Sequence, residues 1–184
     1  MKEFLQKIVY ALRRAYRITI DYRSPEDVFW KDLKRYHSDA NYNSGIFEKE
    51  KTIETIFGIS DDKWARYYFQ VDDGFFYCRV KVLQDFPLEL APDVFILASH
   101  LNNLLLKGVV KVNTECRYVE YQVKRDILVP LLFTAEIHTQ TIGHYGISKD
   151  VYVAFKRLIE EQEAPAITIA DLLRSKENEK KTAE

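Results

Sequence analysis

The stretch from Pro92 to Lys124 constrains the fold most, because its hydrophobic period changes from that of a helix to that of a strand. Apolar residues first recur at three- and four-residue spacing, which predicts one helix face made of Val94, Leu97, Ala98, Leu101, Leu104 and Leu105. Pro92 suits the first helical turn, and Gly108 can adopt the left-handed conformation that ends a helix. The period then becomes two, which predicts a hairpin around a turn at residues 113–115. A helix with so broad an apolar face needs a sheet to pack on, so this stretch predicts an α+β fold.

A second hairpin is predicted over residues 64–83. Two segments rich in aromatic and β-branched residues flank Asp73-Gly74, a dipeptide typical of tight hairpin turns. In the second segment one face consists of Phe76, Cys78, Val80 and Val82, and the other consists of Phe75, Tyr77, Arg79 and Lys81. We expect the first set to be buried in the core. We expect the second set to form an aromatic and basic face that partly meets solvent.

The first 60 residues are predicted to form a helical extension. Residues 2–17 have the pattern of a basic amphipathic helix, which could lie on a membrane or in a partner's groove but is interpreted as packing on its own domain. A short strand is predicted over residues 17–22. Ser24 as N-cap and Pro25 in the first turn then predict a helix to about His37. Residues 46–58 favour a helix over a competing strand.

The C-terminal third is predicted to contain two helices. Pro130 at a first helical turn and Gly146 at a helix end favour a helix across about 131–144, although partial alternation there also allows a strand. Ser148 is predicted to cap the next helix, which ends near Gln162. The inward face of that helix is expected to consist of Val151, Val153, Ala154, Leu158 and Ile159.

These patterns divide the chain into three parts. Residues 1–60 form the N-terminal extension, residues 61–165 form a core in which an antiparallel sheet of two hairpins packs on the central helix, and residues 166–184 form a tail. The composition of residues 174–184 is typical of a segment that is disordered unless bound.

Charge and cysteine content limit the class of partner and compartment. The chain has 27 basic and 28 acidic residues, and a net charge of -1 argues against bulk attraction to nucleic acid or an anionic membrane. Cys78 and Cys116 both fall in predicted strands and are interpreted as small buried hydrophobes in a reducing compartment. The chain shows no signal-peptide pattern and no run near the roughly 20 apolar residues of a membrane span. We therefore expect a cytoplasmic protein without membrane contact.

No catalytic or metal-binding motif stands out. Neither a Gly-rich phosphate loop nor a Cys-x-x-Cys or His-Glu-x-x-His pattern is present. Glu136 and His138 would point about 200° apart on a helix and converge only on a strand. Hence we predict no catalytic residue, no metal site and no cofactor. An enzyme would need a site of scattered residues, with candidates His100, Glu136, His138 and Cys116.

Two adjacent asparagines on the central helix are unusual, because Asn is a poor helix former. Asn102 and Asn103 therefore suggest that one of them bonds to a neighbouring strand or lines an interface. The default interpretation is that both asparagines lie on a solvated flank of the helix.

The order of these elements resembles the YbjN-type family of bacterial sensory-transduction regulators, whose fold is similar to that of type III secretion chaperones. The matching stretches are FFYCRVKV (75–82), the helix through Leu101-Asn102-Asn103 to LLLKG (104–108), and the VVKVN…YVEYQV hairpin. The match covers about residues 64–163. The N-terminal 60 residues are longer than this family needs, and residues 127–146 look like an inserted element.

The resemblance implies a non-enzymatic, regulatory or chaperone-like α+β domain that binds a protein or peptide partner as a monomer or a homodimer. The residues expected to bind the partner are Phe75, Tyr77, Arg79, Lys81, Asn102 and Asn103. One alternative is a small enzyme with a site around His100, Glu136 and His138. Another, which the charge balance disfavours, is a nucleic-acid-binding protein using Arg13, Arg14 and Arg17 of the basic N-terminal helix.

Overall fold

The computed structural model describes residues 2–20 and 24–182, and in this part of the chain it has the predicted α+β class. The α-helices are α1 (Lys2–Ile20), α2 (Pro25–Asp39), α3 (Ala91–Leu104), α4 (Leu128–Leu132), α5 (Ala135–Glu160) and α6 (Pro165–Thr182). The strands are β1 (Ser44–Phe47), β2 (Thr52–Gly58), β3 (Trp64–Asp72), β4 (Phe75–Gln84), β5 (Val109–Asn113) and β6 (Tyr118–Asp126). A short 3-10 helix, Leu88–Leu90, precedes α3.

The six strands form one antiparallel sheet in the order β1-β2-β3-β4-β6-β5. Both predicted hairpins, β3–β4 and β5–β6, are present. The helix favoured over residues 46–58 is wrong, because β1 and β2 form a third hairpin there. Ile53 and Thr55 of β2 are buried while their neighbours are not. Burial therefore alternates with a period of two, which is the period of a strand and not of a helix. Lys51, in the turn before β2, has the positive φ of 43° that a tight reversal needs.

Burial alternates along the long strands, so one face of the sheet is core and the other is open. The core face includes Ile53, Tyr67, Phe69, Phe76, Cys78, Val80, Val82, Val119, Tyr121 and Val123. The residues between them are half-buried or exposed. The prediction for the inward face of β4 is therefore confirmed.

The chain divides into two compact units. The first consists of Met1–Phe57, Arg66–Cys78 and Lys124–His144, and the second consists of Gly58–Ala65, Arg79–Val123 and Tyr145–Glu184. The predicted boundaries near residues 60 and 165 stay a prediction.

The first unit has an aromatic core beneath α2. Phe29 of α2 meets Phe76 edge to face, with ring centroids 5.3 Å apart, and Phe69 stacks on Phe76 at 6.2 Å. Such pairs add to the apolar burial that dominates folding. Pro25 begins α2 as predicted, but Ser24 receives the first helical N–H groups through its backbone carbonyl rather than through its side chain.

Helix α1 packs on the first unit through one narrow side. Ala11 is buried, and the Arg14 guanidinium donates hydrogen bonds to the Leu131 carbonyl of α4 and to the carboxylate of Asp32 in α2. From the sequence we interpreted this helix as packing on its own domain. The structure shows such packing on the side of α1 that carries Ala11 and Arg14. The strand predicted over 17–22 is wrong as far as Ile20, because the helical hydrogen bonding continues to that residue; residues 21–23 lie outside the described part.

The second unit contains α3 and most of the β5–β6 hairpin, which were predicted from the stretch between Pro92 and Lys124. Helix α3 packs against β5 and α6, and Val94 and Leu97 are fully buried. The helix ends at Leu104, earlier than Gly108 suggested, because Leu105 is already extended with φ -75° and ψ 120°. Gly108 nevertheless has the left-handed φ of 81° that was expected of it.

The C-terminal part differs most from expectation. One continuous helix, α5, runs through Gly146, so the predicted end at that glycine is wrong. Ser148 does not cap a new helix; it is buried, and its hydroxyl donates to the Tyr145 carbonyl at 2.7 Å, which satisfies it inside a helix. Val153, expected to face inward, is 44% exposed, and Phe155 is buried instead. The stretch expected to be a tail is helical as α6 to Thr182.

The cysteines differ from each other. Cys78 is buried in β4 as predicted, and burial raises the pKa of its thiol. Cys116 lies exposed in the β5–β6 turn, so its assignment to a strand is wrong. Its N–H donates to the Asn113 side chain at 2.7 Å. This local hydrogen bond stabilises a turn, and the Cys116 N–H therefore does not bond to a neighbouring strand.

Candidate functional site

The open face of the sheet in the first unit carries two aromatic residues on neighbouring outward positions of β4. Phe75 and Tyr77 are half-buried and their ring centroids lie 6.4 Å apart; we call them the aromatic pair. The turn before them is a two-residue hairpin turn, in which Asp73 and Gly74 have the positive φ values, 48° and 73°, that such a turn requires. The Gly74 N–H also donates to Glu26 of α2 at 2.6 Å.

A lysine from β6 lies over both rings. The Nζ atom of Lys124 is 3.6 Å from the Phe75 ring centroid and 5.4 Å from that of Tyr77. A cation over an aromatic face is attracted by the ring quadrupole, so Lys124 is held in place although it is exposed. The surface therefore offers apolar area and one positive charge at the same point.

Strand β3 continues this face within the first unit. Tyr68 and Gln70 are half-buried, and the exposed Arg66 forms an ion pair with Glu54 of β2 at 3.2 Å. Such an exposed pair contributes little to stability. Its charges can rearrange around an incoming group at low cost.

The other two predicted residues of β4 lie further along the strand, in the second unit. Arg79 is half-buried, and Lys81 is exposed with its Nζ 4.3 Å from the Tyr118 ring centroid. In each unit a lysine therefore lies over an aromatic ring, and the outward residues of β4 are half-buried or exposed, as the period of two predicted.

The two asparagines of α3 have different environments. Asn102 donates from Nδ2 to the Val110 carbonyl at 3.0 Å, and the Val110 N–H donates back to its Oδ1 at 2.7 Å. The prediction that one of the pair bonds to a neighbouring strand is confirmed. Asn103 is exposed on the helix flank. Asn102 therefore stabilises the contact of α3 with β5, and a role of either residue in partner binding stays a prediction.

The residues considered for an enzyme are divided between the two units, with Glu136 and His138 in the first and His100 and Cys116 in the second. Glu136 and His138 both lie on α5, and two residues two positions apart on a helix point in different directions. Glu136 lines an open groove with Gln6 and Tyr10 of α1, whereas His138 Nδ1 lies 3.2 Å from the Tyr36 hydroxyl. His100 is exposed on α3 of the second unit. Within the described ranges, no three His, Cys, Asp or Glu side chains are grouped so that they could hold a metal ion.

A buried polar cluster was missed from the sequence. His37 of α2 is 1% exposed, and its Nδ1 lies 3.2 Å from both Ser44 Oγ and Thr55 Oγ1, which are 2.7 Å from each other. Ser44 and Thr55 face each other across β1 and β2, so this cluster joins the third hairpin to α2. Burial lowers the pKa of His37 to about 4, which keeps the imidazole neutral at pH 7. Only the correct strand assignment of residues 44–58 would have revealed it.

Comparison with other proteins adds no relative. No protein-family model, curated protein or solved structure matches this chain. None of the helices in the described residues is long and apolar enough to cross a bilayer.

Proposed function

We propose that the chain is a non-enzymatic cytoplasmic binding protein that docks a segment of a partner protein on the open face of its sheet. The observation that supports this proposal is the aromatic pair with Lys124 over both rings. Aromatic side chains often supply much of the binding energy of a protein–protein interface, and an exposed charge beside them can steer a partner into place. The order of helix, hairpin, helix and hairpin is compatible with the resemblance to YbjN-type and type III secretion chaperone folds, from which we infer a regulatory or chaperone-like role.

The chemistry of this face favours an apolar segment that also carries acidic residues. Lys124 is an exposed cation beside aromatic rings, so a carboxylate can approach it while apolar side chains cover Phe75 and Tyr77. The charge would steer the segment and the rings would supply contact area. Because the surface is a sheet face rather than a deep pocket, it suits a chain segment better than a small molecule.

Affinity capture with two kinds of variant tests this proposal. The tagged full chain, a Phe75→Ser/Tyr77→Ser variant and a Lys124→Glu variant are used to capture proteins from native cytosol, followed by quantitative mass spectrometry. We expect a specific protein that is recovered with the unchanged chain and reduced at least tenfold with both variants. The first variant removes the rings, and the second reverses the charge but leaves the rings.

The control is Lys49→Glu, which makes the same charge change at an exposed lysine before β2. It should capture the same protein as the unchanged chain. Circular dichroism and urea unfolding confirm that each variant is folded. Identical capture profiles for all four folded proteins would show that the aromatic pair and Lys124 are not the docking face.

A further inference from the structure

The outer side of α1 carries apolar side chains that the described part of the structure leaves exposed. Their exposed fractions range from 37% to 68%, and they are Leu5, Ile8, Val9, Leu12 and Tyr16. Spacings of three and four residues place them on one stripe, which extends about 18 Å along the helix and covers about 100° of its circumference. We call these five residues the α1 stripe. Ala11 and Arg14 attach the helix from its other side, so the stripe stays open while α1 remains docked.

The helix that carries this stripe is basic, although the net charge of the chain is only -1. Its charged residues are Lys2, Lys7, Arg13, Arg14 and Arg17, against the single acidic Glu3. Arg14 is paired with the carboxylate of Asp32, whereas Lys7 and Arg13 are exposed. Arg13 follows Val9 by one helical turn and therefore borders the stripe. The partner of this surface should accordingly be apolar and negatively charged.

A second copy of α1 is a poor partner on two grounds. Pairing two such helices would bring basic residues together with only one acid in each to offset them. The footprint of the stripe, about 18 Å by 10 Å, is also well below the roughly 800 Å² that each partner buries in a standard stable interface. A bilayer surface needs neither shape complementarity nor acidic side chains.

We propose that α1 binds the surface of an anionic lipid bilayer, with its axis parallel to the membrane plane and the α1 stripe in the headgroup region. Leu5, Val9 and Leu12 would enter the boundary with the acyl chains, and Arg13 would contact lipid phosphates. Tyr16 suits the interface because its ring is apolar and its hydroxyl is polar. Cytoplasmic leaflets carry anionic lipids, so this binding is compatible with a cytoplasmic protein. The proposal departs from our expectation of no membrane contact, and it involves a different surface from the aromatic pair.

Vesicle flotation of the full chain tests the proposal. The probes are vesicles of phosphatidylcholine alone and vesicles in which about one third of the lipid is phosphatidylglycerol, at about 0.1 M salt. We expect flotation with the anionic vesicles, at least tenfold less with the neutral ones, and a steep loss as salt is raised. A Leu5→Ser/Val9→Ser/Leu12→Ser variant should lose at least tenfold in binding. An Arg13→Glu variant, which keeps the stripe and reverses the charge that borders it, should lose most of the preference for anionic lipid.

Two matched control variants distinguish binding through the α1 stripe from nonspecific effects of exposed apolar area and of net charge. Leu128→Ser/Val129→Ser/Ile142→Ser removes three exposed apolar side chains elsewhere, and Lys49→Glu changes the net charge by the same amount as Arg13→Glu. Both should bind anionic vesicles like the unchanged chain, and circular dichroism confirms the helix content of each variant. The proposal is overturned if the chain stays in the buffer fraction with both vesicle types, or if the controls lose as much binding as the α1 variants. A concentration-dependent dimer that the stripe variant abolishes, without vesicle binding, would assign the stripe to a second copy instead.

Discussion

Gly108 has a backbone conformation and a close neighbour that together exclude other residues. Its φ is 81°, in the left-handed region that side chains disfavour. A Cβ atom at this position would lie 2.6 Å from Cε2 of Tyr121 and 2.8 Å from the Gln122 carbonyl oxygen. Tyr121 cannot easily move away, because it is fully buried and its hydroxyl donates to the Lys107 carbonyl at 2.8 Å. The loop between α3 and β5 therefore depends on a glycine.

Gly108→Ala should lower the free energy of unfolding by about 2 kcal/mol or more, since backbone strain and the steric contact add. Urea denaturation monitored by circular dichroism measures this. The control is Gly143→Ala in α5, where a Cβ would meet no atom within 4 Å; it should be neutral or stabilising by up to about 1 kcal/mol. Equal midpoints for both variants would contradict the close approach of Tyr121.

At the scale of elements, the contact of α3 with β5 depends on Asn102, whose side chain bonds to the backbone of β5 as a neighbouring strand would. Asn102 accepts from the Val110 N–H and donates to its carbonyl, which are the groups that a neighbouring strand would otherwise use. The helix is thereby attached to the outermost strand of the sheet at one end. Asn is otherwise unfavourable in a helix interior, so its presence there is explained by this contact.

Asn102→Ala should lower the free energy of unfolding by about 1–2 kcal/mol, because two partly buried backbone groups lose their partners. Amide exchange at Val110 should accelerate in the same variant. Asn103→Ala, one residue away and exposed, should leave stability unchanged or raise it slightly, as alanine is the better helix former. If both variants behave alike, the two bonds to Val110 do not stabilise the protein.

The attachment of α1 depends on Arg14 in a comparable way. Asp32 is only 8% exposed and is paired with Arg14 and, at 3.2 Å, with Arg35. Removing Arg14 would leave the buried carboxylate with its more exposed partner alone. It would also leave the Leu131 carbonyl without the donor that joins α4 to α1.

Arg14→Leu should therefore lower the free energy of unfolding by about 2–4 kcal/mol, somewhat less than the loss of one member of a fully buried ion pair, because Arg14 is partly exposed and Asp32 keeps Arg35. Hydrogen exchange should show faster exchange of the amides of α1 than of the core strands. Arg13→Leu changes an exposed arginine of the same helix and should alter stability by no more than about 0.5 kcal/mol. Unchanged exchange in α1 of Arg14→Leu would mean that the helix is held by other contacts.

At the scale of the whole molecule, two buried histidines couple folding to pH. Burial lowers the pKa of His37 to about 4 and that of His144 to about 3, from an ordinary value near 6.5. Below about pH 6.5 the unfolded chain therefore binds protons that the folded chain does not. Stability is full above that pH and falls as the pH is lowered from about 6.5 towards 4.

The urea midpoint should be constant from about pH 8 to 7 and should fall between about pH 6.5 and 5, above the range in which most carboxylates titrate. A His37→Gln/His144→Gln variant should show a flatter profile in this window, even if it is less stable overall. His100→Gln, at an exposed histidine, should keep the slope of the unchanged chain. A slope in the double variant equal to that of the unchanged chain would contradict the assignment to these histidines.

Local patterns predicted the β3–β4 and β5–β6 hairpins correctly and other segments less well. Asp73-Gly74 specified the β3–β4 turn, and the alternation from Phe75 to Val82 specified which face of β4 is core. The same reasoning failed for residues 46–58, where apolar spacing suited either a helix or a strand. It failed again at Gly146, because a glycine ends a helix only when no packing or continued hydrogen bonding holds the next turn.

The candidate binding surface was predicted only in part, because strand alternation is a local property and strand order is not. Alternation assigned Phe75, Tyr77, Arg79 and Lys81 to the outward face, and the structure leaves them half-buried or exposed. Lys124 was not identified, because its position over the rings depends on β6 lying beside β4. Strand order joins residues that are almost fifty positions apart, and no local pattern contains that information.

The sequence by itself determined the α+β class, the two Val- and Phe-rich hairpins, the helix between them and the left-handed glycine at 108, because period, turn chemistry and backbone freedom are local properties. Only the tertiary structure decided that β1 and β2 are strands, that α5 is continuous, that Asn102 bonds to β5 and that the α1 stripe is left uncovered. Each of these outcomes depends on which distant surface buries a residue or completes its hydrogen bonds, and the chain settles that only when it packs.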